Sequence, residues 1–188
     1  QSMILQSFSH SVSSLMISKM NQTLVDLLYA PLSAFEVSFA IIMAAVTRSV
    51  VIGIISTVVF LFIVEMPIKN LFYIFYATFF GTFFIGSLGF VTGLWSEKFD
   101  HTSAITNFII QPLAFLSGVF YTIDRLPLFF QKVSAVNPFF HIINIFRYGF
   151  LGVSDGHLIF GLIYLPILAL LGWFIAFFLY KKGYKIKS

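Results

Sequence analysis

Residues 71–95 carry no charged side chain over twenty-five consecutive positions. At ~1.5 Å per residue such a run spans ~37 Å as a helix, more than the ~30 Å hydrocarbon core of a bilayer. It is one of several. Residues 34–64 form a second apolar run, interrupted only by Glu36 near its start and Arg48 within it. Residues 104–121 hold no ionisable group except the Tyr121 phenol, and residues 157–180 form a last apolar run. Only 10% of the chain is charged and its mean hydropathy is +0.98. A soluble domain carries about 25% charged residues. These residues cannot cover a globule with polar surface, so the chain is an integral membrane protein of the all-α, polytopic class.

The chain is read as a single transmembrane domain over residues 1–188. Residues 1–18 are Ser-rich and mildly apolar. They read as the end of a span, or alternatively as a disordered terminus. Gln1 is not Met, so the natural start is expected to lie upstream. Residues 19–36 are the longest moderately polar stretch before the first complete span. Leu24, Leu28, Leu32 and Phe35 recur at near-helical spacing, Pro31 breaks the pattern, and Ser33 with Glu36 forms a capping box that predicts a new helix. Spans are expected over 37–64, 71–95, 104–122 and 157–180. Arg48 lies inside the first of these, either as a functional charge or snorkelling to the headgroups. Gly81, Gly86, Gly89 and Gly93 fit helix packing or a hinge. On 104–122, Asn107 and Gln111 stand four apart, Ala114 and Gly118 continue that side, and Pro112 bends the helix. This polar face must meet protein or a cavity, because lipid cannot satisfy its amides.

Residues 123–156 are too polar or too broken to cross. Pro127 and the Asn137-Pro138 pair each stand where a helix can start, predicting two short amphipathic helices, the second carrying Arg147. The net charge of +4 comes largely from the tail at 181–188, which reads as a cytoplasmic topology signal rather than a nucleic-acid site. That places 19–36 inside and 123–156 outside.

The chemistry motifs are sparse. There is no cysteine and no phosphate-cradling GxxxxGK[ST] loop. His10, His101, His141 and His157 are scattered, so neither a catalytic nor a metal site is expected. Gly152-Val153-Ser154-Asp155-Gly156 matches GxSxG, but it joins two helical segments where a hydrolase needs a strand before it and acid and His partners downstream, and the only later His is the next residue, His157.

Four blocks, MNQTLVDLLYAPLSAFE, AAVTRSVVIG, GLWSEKFDHTSAITNFIIQPLAFLSGVFYTIDRLP and NPFFHIINIFRYGFLGVSD, together resemble the membrane subunit of type-2 ABC exporters. The resemblance covers nearly the whole chain and is greatest to the bacterial multidrug and polysaccharide-export permeases. It implies six spans, of which these would be the second to the sixth. It also implies that residues 21–31 couple to a cytoplasmic ATPase subunit, with Asn21, Asp26, Leu27, Leu28, Pro31, Ser33 and Glu36 as the coupling residues. Residues 127–150 would be two external re-entrant helices. Asn107, Gln111, Pro112 and Gly118 would lie along the pathway or its packing. Thr122 departs from a proline often found there in the family.

The implied function is ATP-driven export of an amphipathic, lipid-linked or drug-like substrate. ATP and Mg would be bound by the partner ATPase, and this chain would bind no cofactor. The implied partners are that ATPase, a second permease copy as a homodimer, and the lipid bilayer, with no nucleic acid. The implied location is the bacterial inner membrane, with the C-terminus cytoplasmic. Two other classes remain open: a membrane-embedded enzyme or assembly factor using the Asn107 and Gln111 face without an ATPase, and a structural scaffold.

Overall fold

The structure is a computed structural model and describes residues 1–21, 23, 32–63, 67–119 and 127–184. Its helices are α1 (Ser2–Met20), α2 (Ala34–Ile63), α3 (Leu71–Trp95), α4 (Phe99–Ile105), a π segment (Thr106–Ile110), α5 (Gln111–Phe115), α6 (Leu128–Val136), α7 (Pro138–Leu151) and α8 (Leu158–Lys181). Among the described residues there is no strand. The protein is an all-α polytopic membrane protein. Among the described residues three helices, α2, α3 and α8, are long and apolar enough to cross a bilayer.

α3 is the centre of the bundle. Its sequence places Gly81, Gly86, Gly89 and Gly93 along a surface that neighbours approach closely. A Cβ built on Gly89 would stand 2.5 Å from the Phe8 carbonyl oxygen and 3.1 Å from Phe8 Cα. At Gly93 it would stand 3.0 Å from Leu15 Cβ. The backbones of α1 and α3 therefore touch, as small-residue interfaces allow in a membrane. Ser7 Oγ donates to the Thr82 carbonyl at 2.6 Å within this contact. Phe8, Leu15 and Met16 of α1 and Ile85, Phe90 and Leu94 of α3 are all buried.

The pairing order gives the helix directions. Ser7 meets Thr82 and Lys19 meets Leu94, so α1 and α3 run parallel. Tyr76 meets Leu162 and Phe90 meets Tyr180, so α8 is parallel to both. Gly53 lies against Met3 and Arg48 against His10, so α2 is antiparallel. One end of the bundle thus gathers Lys19, Phe35, Trp95, Lys98 and Lys181. The other gathers Lys69, α6, α7 and His157. The backbone amides of Lys69 and Asn70 donate to the Gly149 carbonyl at 3.1 and 2.9 Å, tying the α2–α3 connection to α7.

The stretch expected as one kinked span over 104–122 is different in form. The helix begins earlier, at Phe99, and ends at Phe115. Pro112 has no N–H, and a proline ring crowds the carbonyl four residues back. The wider π turn immediately before it relieves that crowding, and the Gln111 amide donates to Thr106, five residues back. Gly118 does not continue the small-residue face of a helix. It sits in the turn after α5 with φ +77, a conformation that excludes most side chains.

Candidate functional site: a polar face at membrane depth

Helical geometry assigns α1 two faces. Ile4, Ser7, Phe8, Ser11, Val12, Leu15 and Met16 point into the bundle. Ser2, Gln6, Ser9, His10, Ser13 and Ser14 fall in the opposite arc and are exposed or half-buried. A helix with this distribution presents hydroxyls and an amide where a lipid-facing helix presents Leu or Phe.

Both flanks of this arc are polar. On one side Arg48 of α2 is exposed, and its Nη1 lies 3.3 Å from His10 Nδ1. Arg48 is fourteen residues into α2, ~21 Å from its start, well away from either end. Thr47 beside it is exposed as well. On the other side a cleft of about 490 Å³ opens between α1 and the α4–π stretch. It is lined by Phe8, Ser9, Val12, Ser13, Thr102, Ser103, Thr106 and Asn107. The face is thus continuous from Arg48 through α1 to Asn107. Gln111 does not line this cleft. Gln111 is half-buried, one position past the π segment. Pro112 is exposed.

The coupling candidates lie at the Lys19 end. Asp26, Leu27, Leu28 and Pro31 fall outside the described residues. Asn21 is exposed and closes α1, its amide donating to the Ile17 carbonyl at 2.9 Å. Ser33 and Glu36 make both arms of the capping box. Glu36 Oε2 accepts from the Ser33 amide at 2.7 Å and from Ser33 Oγ at 2.8 Å, and the Glu36 amide donates to Ser33 Oγ at 3.2 Å. One helical turn on, Phe35 and Phe39 pack against Trp173 of α8, with ring centroids 5.0 and 6.2 Å apart.

At the opposite end, Pro127 precedes α6, and Pro138 occupies the first turn of α7 behind an Asn137 cap. Asn137 accepts from the Phe139 amide at 3.0 Å and donates to the Leu113 carbonyl at 2.7 Å. One buried side chain thereby caps α7 and holds α5. Arg147 pairs with Asp155 and donates to the Gly118 carbonyl at 2.5 Å. Asn144 Oδ1 accepts from the Asp155 amide at 2.9 Å. His141 is buried in α7, and Nε2 donates to the Ala135 carbonyl at 2.8 Å. Burial holds its pKa below the ordinary imidazole value. Ser154 of the GxSxG match donates to the Gly156 carbonyl at 2.6 Å and contacts Asn144. That is loop geometry, with neither an acid nor a His activating the hydroxyl.

The profile of the ABC-2 type transporter family matches residues 1–151. The chain belongs to the ABC-2 type transporter family. It is similar along its full length to the inner membrane transport permease YadH of Escherichia coli strain K12. The two are 29% identical over 189 residues, 100% of this chain and 73% of that protein. The protein of the same name in Shigella flexneri gives the same figures. Nodulation protein J of Rhizobium leguminosarum bv. viciae is 35% identical over 66 residues, 35% of this chain and 26% of that protein. No solved structure matches the chain.

Most of this polar face was missed in the sequence. Arg48 and Asn107 stood out as polar groups within apolar runs. Gln6, Ser9, His10 and Ser13 did not, because their stretch lacks a long apolar frame. The signal that could have found them is the recurrence of polar residues at three- and four-residue steps from Ser2 to Ser13.

Proposed function

We propose that this chain is the permease subunit of an ATP-driven exporter of the bacterial inner membrane, and that the α1 face between Arg48 and Asn107 is its half of the pathway. One observation carries this reading: a polar face runs from Arg48 across α1 to Asn107, on a helix packed lengthwise against the apolar α3. Hydrocarbon cannot satisfy an Arg, an amide and a row of hydroxyls, so protein or water covers them, and in this reading a second copy lies across a wet seam. A homodimer fits, with each copy supplying half. The substrate is amphipathic, lipid-linked or drug-like. Hydroxyls and amides take its polar part, while the surrounding Phe-rich surface takes its apolar part.

Energy comes from a separate ATPase that binds ATP and Mg and docks at residues 21–36. Lys98, Lys181 and Lys182 cluster at the end where α1 closes and α2 begins, which supports reading that end, and the C-terminus with it, as cytoplasmic. The α6–α7 layer is then external, as a pair of re-entrant helices. Alternating access follows when the docked ATPase pushes this end and the seam opens at one side or the other.

The chain has no cysteine, so single cysteines report cleanly. Ser9→Cys and Asn107→Cys, in membranes holding the paired ATPase, are expected to react with a water-soluble maleimide, at rates that change on adding ATP. Ile159→Cys, on the apolar exterior of α8, is expected to stay unreactive. Inert Ser9→Cys and Asn107→Cys in both conditions would refute the pathway.

A further inference from the structure

Lys19 stands in the last turn of α1, two residues before Asn21. Its Nζ leaves its own helix and donates to the Leu94 carbonyl at 2.5 Å and the Ser96 carbonyl at 3.1 Å. Those carbonyls are at the end of α3, where helix geometry leaves oxygens without intrahelical partners and with partial negative charge. An ammonium satisfies both demands at once. Ser96, beside this contact, is fully buried. A lysine reaching for headgroups would point outward. This one points across the bundle, onto a residue 75 positions away.

The contact closes an interface that is tight along its length. Ser7 bonds to Thr82, Gly89 meets the Phe8 backbone, and Gly93 meets Leu15. α1 and α3 are thus in contact from Ser7 and Thr82 to Lys19 and Leu94. Beyond the Ser33 cap, Phe35 and Phe39 rest on Trp173 of α8, and Phe39 also meets Phe83 of α3.

We propose that Lys19 is a positioning residue for energy coupling: it locks the end of α1 to the end of α3, so that a push on the α1–α2 connection moves the two helices as one body. This rests on the docking of an ATPase at residues 21–36. Without the lock, displacement of Asn21 bends the last turn of α1 while α3 stays behind, and motion is lost before it reaches the polar seam.

The test uses the full chain with its paired ATPase in nanodiscs, carrying spin labels at Ile17→Cys on α1 and Lys98→Cys just past α3. Both positions are exposed. With Lys19 intact, the label-to-label distance is expected to be the same without nucleotide and with ATP. With Lys19→Met, the ATPase still co-purifies, but the distance shifts and broadens on adding ATP. Lys19→Arg, which keeps the charge and donors, restores the fixed distance. Where Lys19→Met does not reach the membrane, Lys19→Gln serves, with a smaller shift. A role in stability alone would lower the melting temperature without any nucleotide-dependent shift, and that result overturns the proposal. So does a nucleotide-dependent distance with Lys19 intact. Failure of the unaltered chain to hold any ATPase overturns the docking reading as well, and so tells the two failures apart.

Discussion

Gly89→Ala tests the α1–α3 contact on which both the seam and the Lys19 lock depend. The added Cβ meets backbone, 2.5 Å from the Phe8 oxygen and 3.1 Å from Phe8 Cα, with Ser11 Cβ at 3.0 Å. No rotamer change can relieve a clash with main chain, so the helices must separate by about 1 Å at this level. A gap of that size forfeits roughly a quarter to a half of each dispersion contact across the interface. It also stretches the 2.6 Å Ser7–Thr82 bond towards breaking, worth about 0.6–1.7 kcal/mol in a membrane interior. Overpacking typically costs about 1–3 kcal/mol, so the total is expected near 2–3 kcal/mol. Gly172→Ala is the matched control. Its Cβ would lie 3.3 Å from Phe84 Cδ2, which can turn aside, and 3.3 Å from Ser87 Cβ, which needs to give only a few tenths of an ångström. Its cost is expected below about 1 kcal/mol. Unfolding in bicelles by SDS titration, read by circular dichroism, measures both. Equal stability of the two variants would refute the close-contact account.

Arg48→Leu removes a charge whose placement at the centre of a helix costs about 2.5–3.5 kcal/mol on insertion scales. Membrane insertion is expected to be unharmed, while the ATP-dependent labelling of Ser9→Cys is lost; retained labelling would show that Arg48 serves only the headgroups. Ser33→Ala breaks the capping box and is expected to cost about 1 kcal/mol. Faster amide exchange at the first turn of α2 and a lower yield of co-purified ATPase report it, and Ser33→Asp should restore the exchange rates. Acidification should loosen α7. Because burial lowers the His141 pKa, the unfolded chain takes the proton first. Stability is then intact above about pH 6.5 and falls as pH drops below it. Amide exchange across α7 reads this, and His141→Gln should flatten the dependence.

What could be read from the sequence was local. The Ser33–Glu36 box and the Asn137-Pro138 start involve residues within three positions of one another, and the structure forms both. The failures all involve partners distant in sequence, or a backbone choice that hydropathy does not encode. Gly118 was placed on a helix because its spacing from Ala114 suits one, but the chain turns there and its carbonyl serves Arg147. The Arg147–Asp155 pair, the Lys19 contact with Leu94 and the approach of His10 to Arg48 are all products of packing. The α1 face was hidden for a related reason. Hydropathy rewards apolar runs, and a helix apolar on one side and polar on the other averages to nothing.

Sidedness tests the central claim most directly, because every functional step needs the Lys19 end in the cytoplasm and the α6–α7 layer outside. A single cysteine at Asn21 and another at Val153, both exposed, are treated with a membrane-impermeant maleimide on intact spheroplasts. The prediction is that Val153→Cys is labelled at once and Asn21→Cys only after permeabilisation. Labelling of Asn21→Cys from outside, or of both from one side, would contradict it.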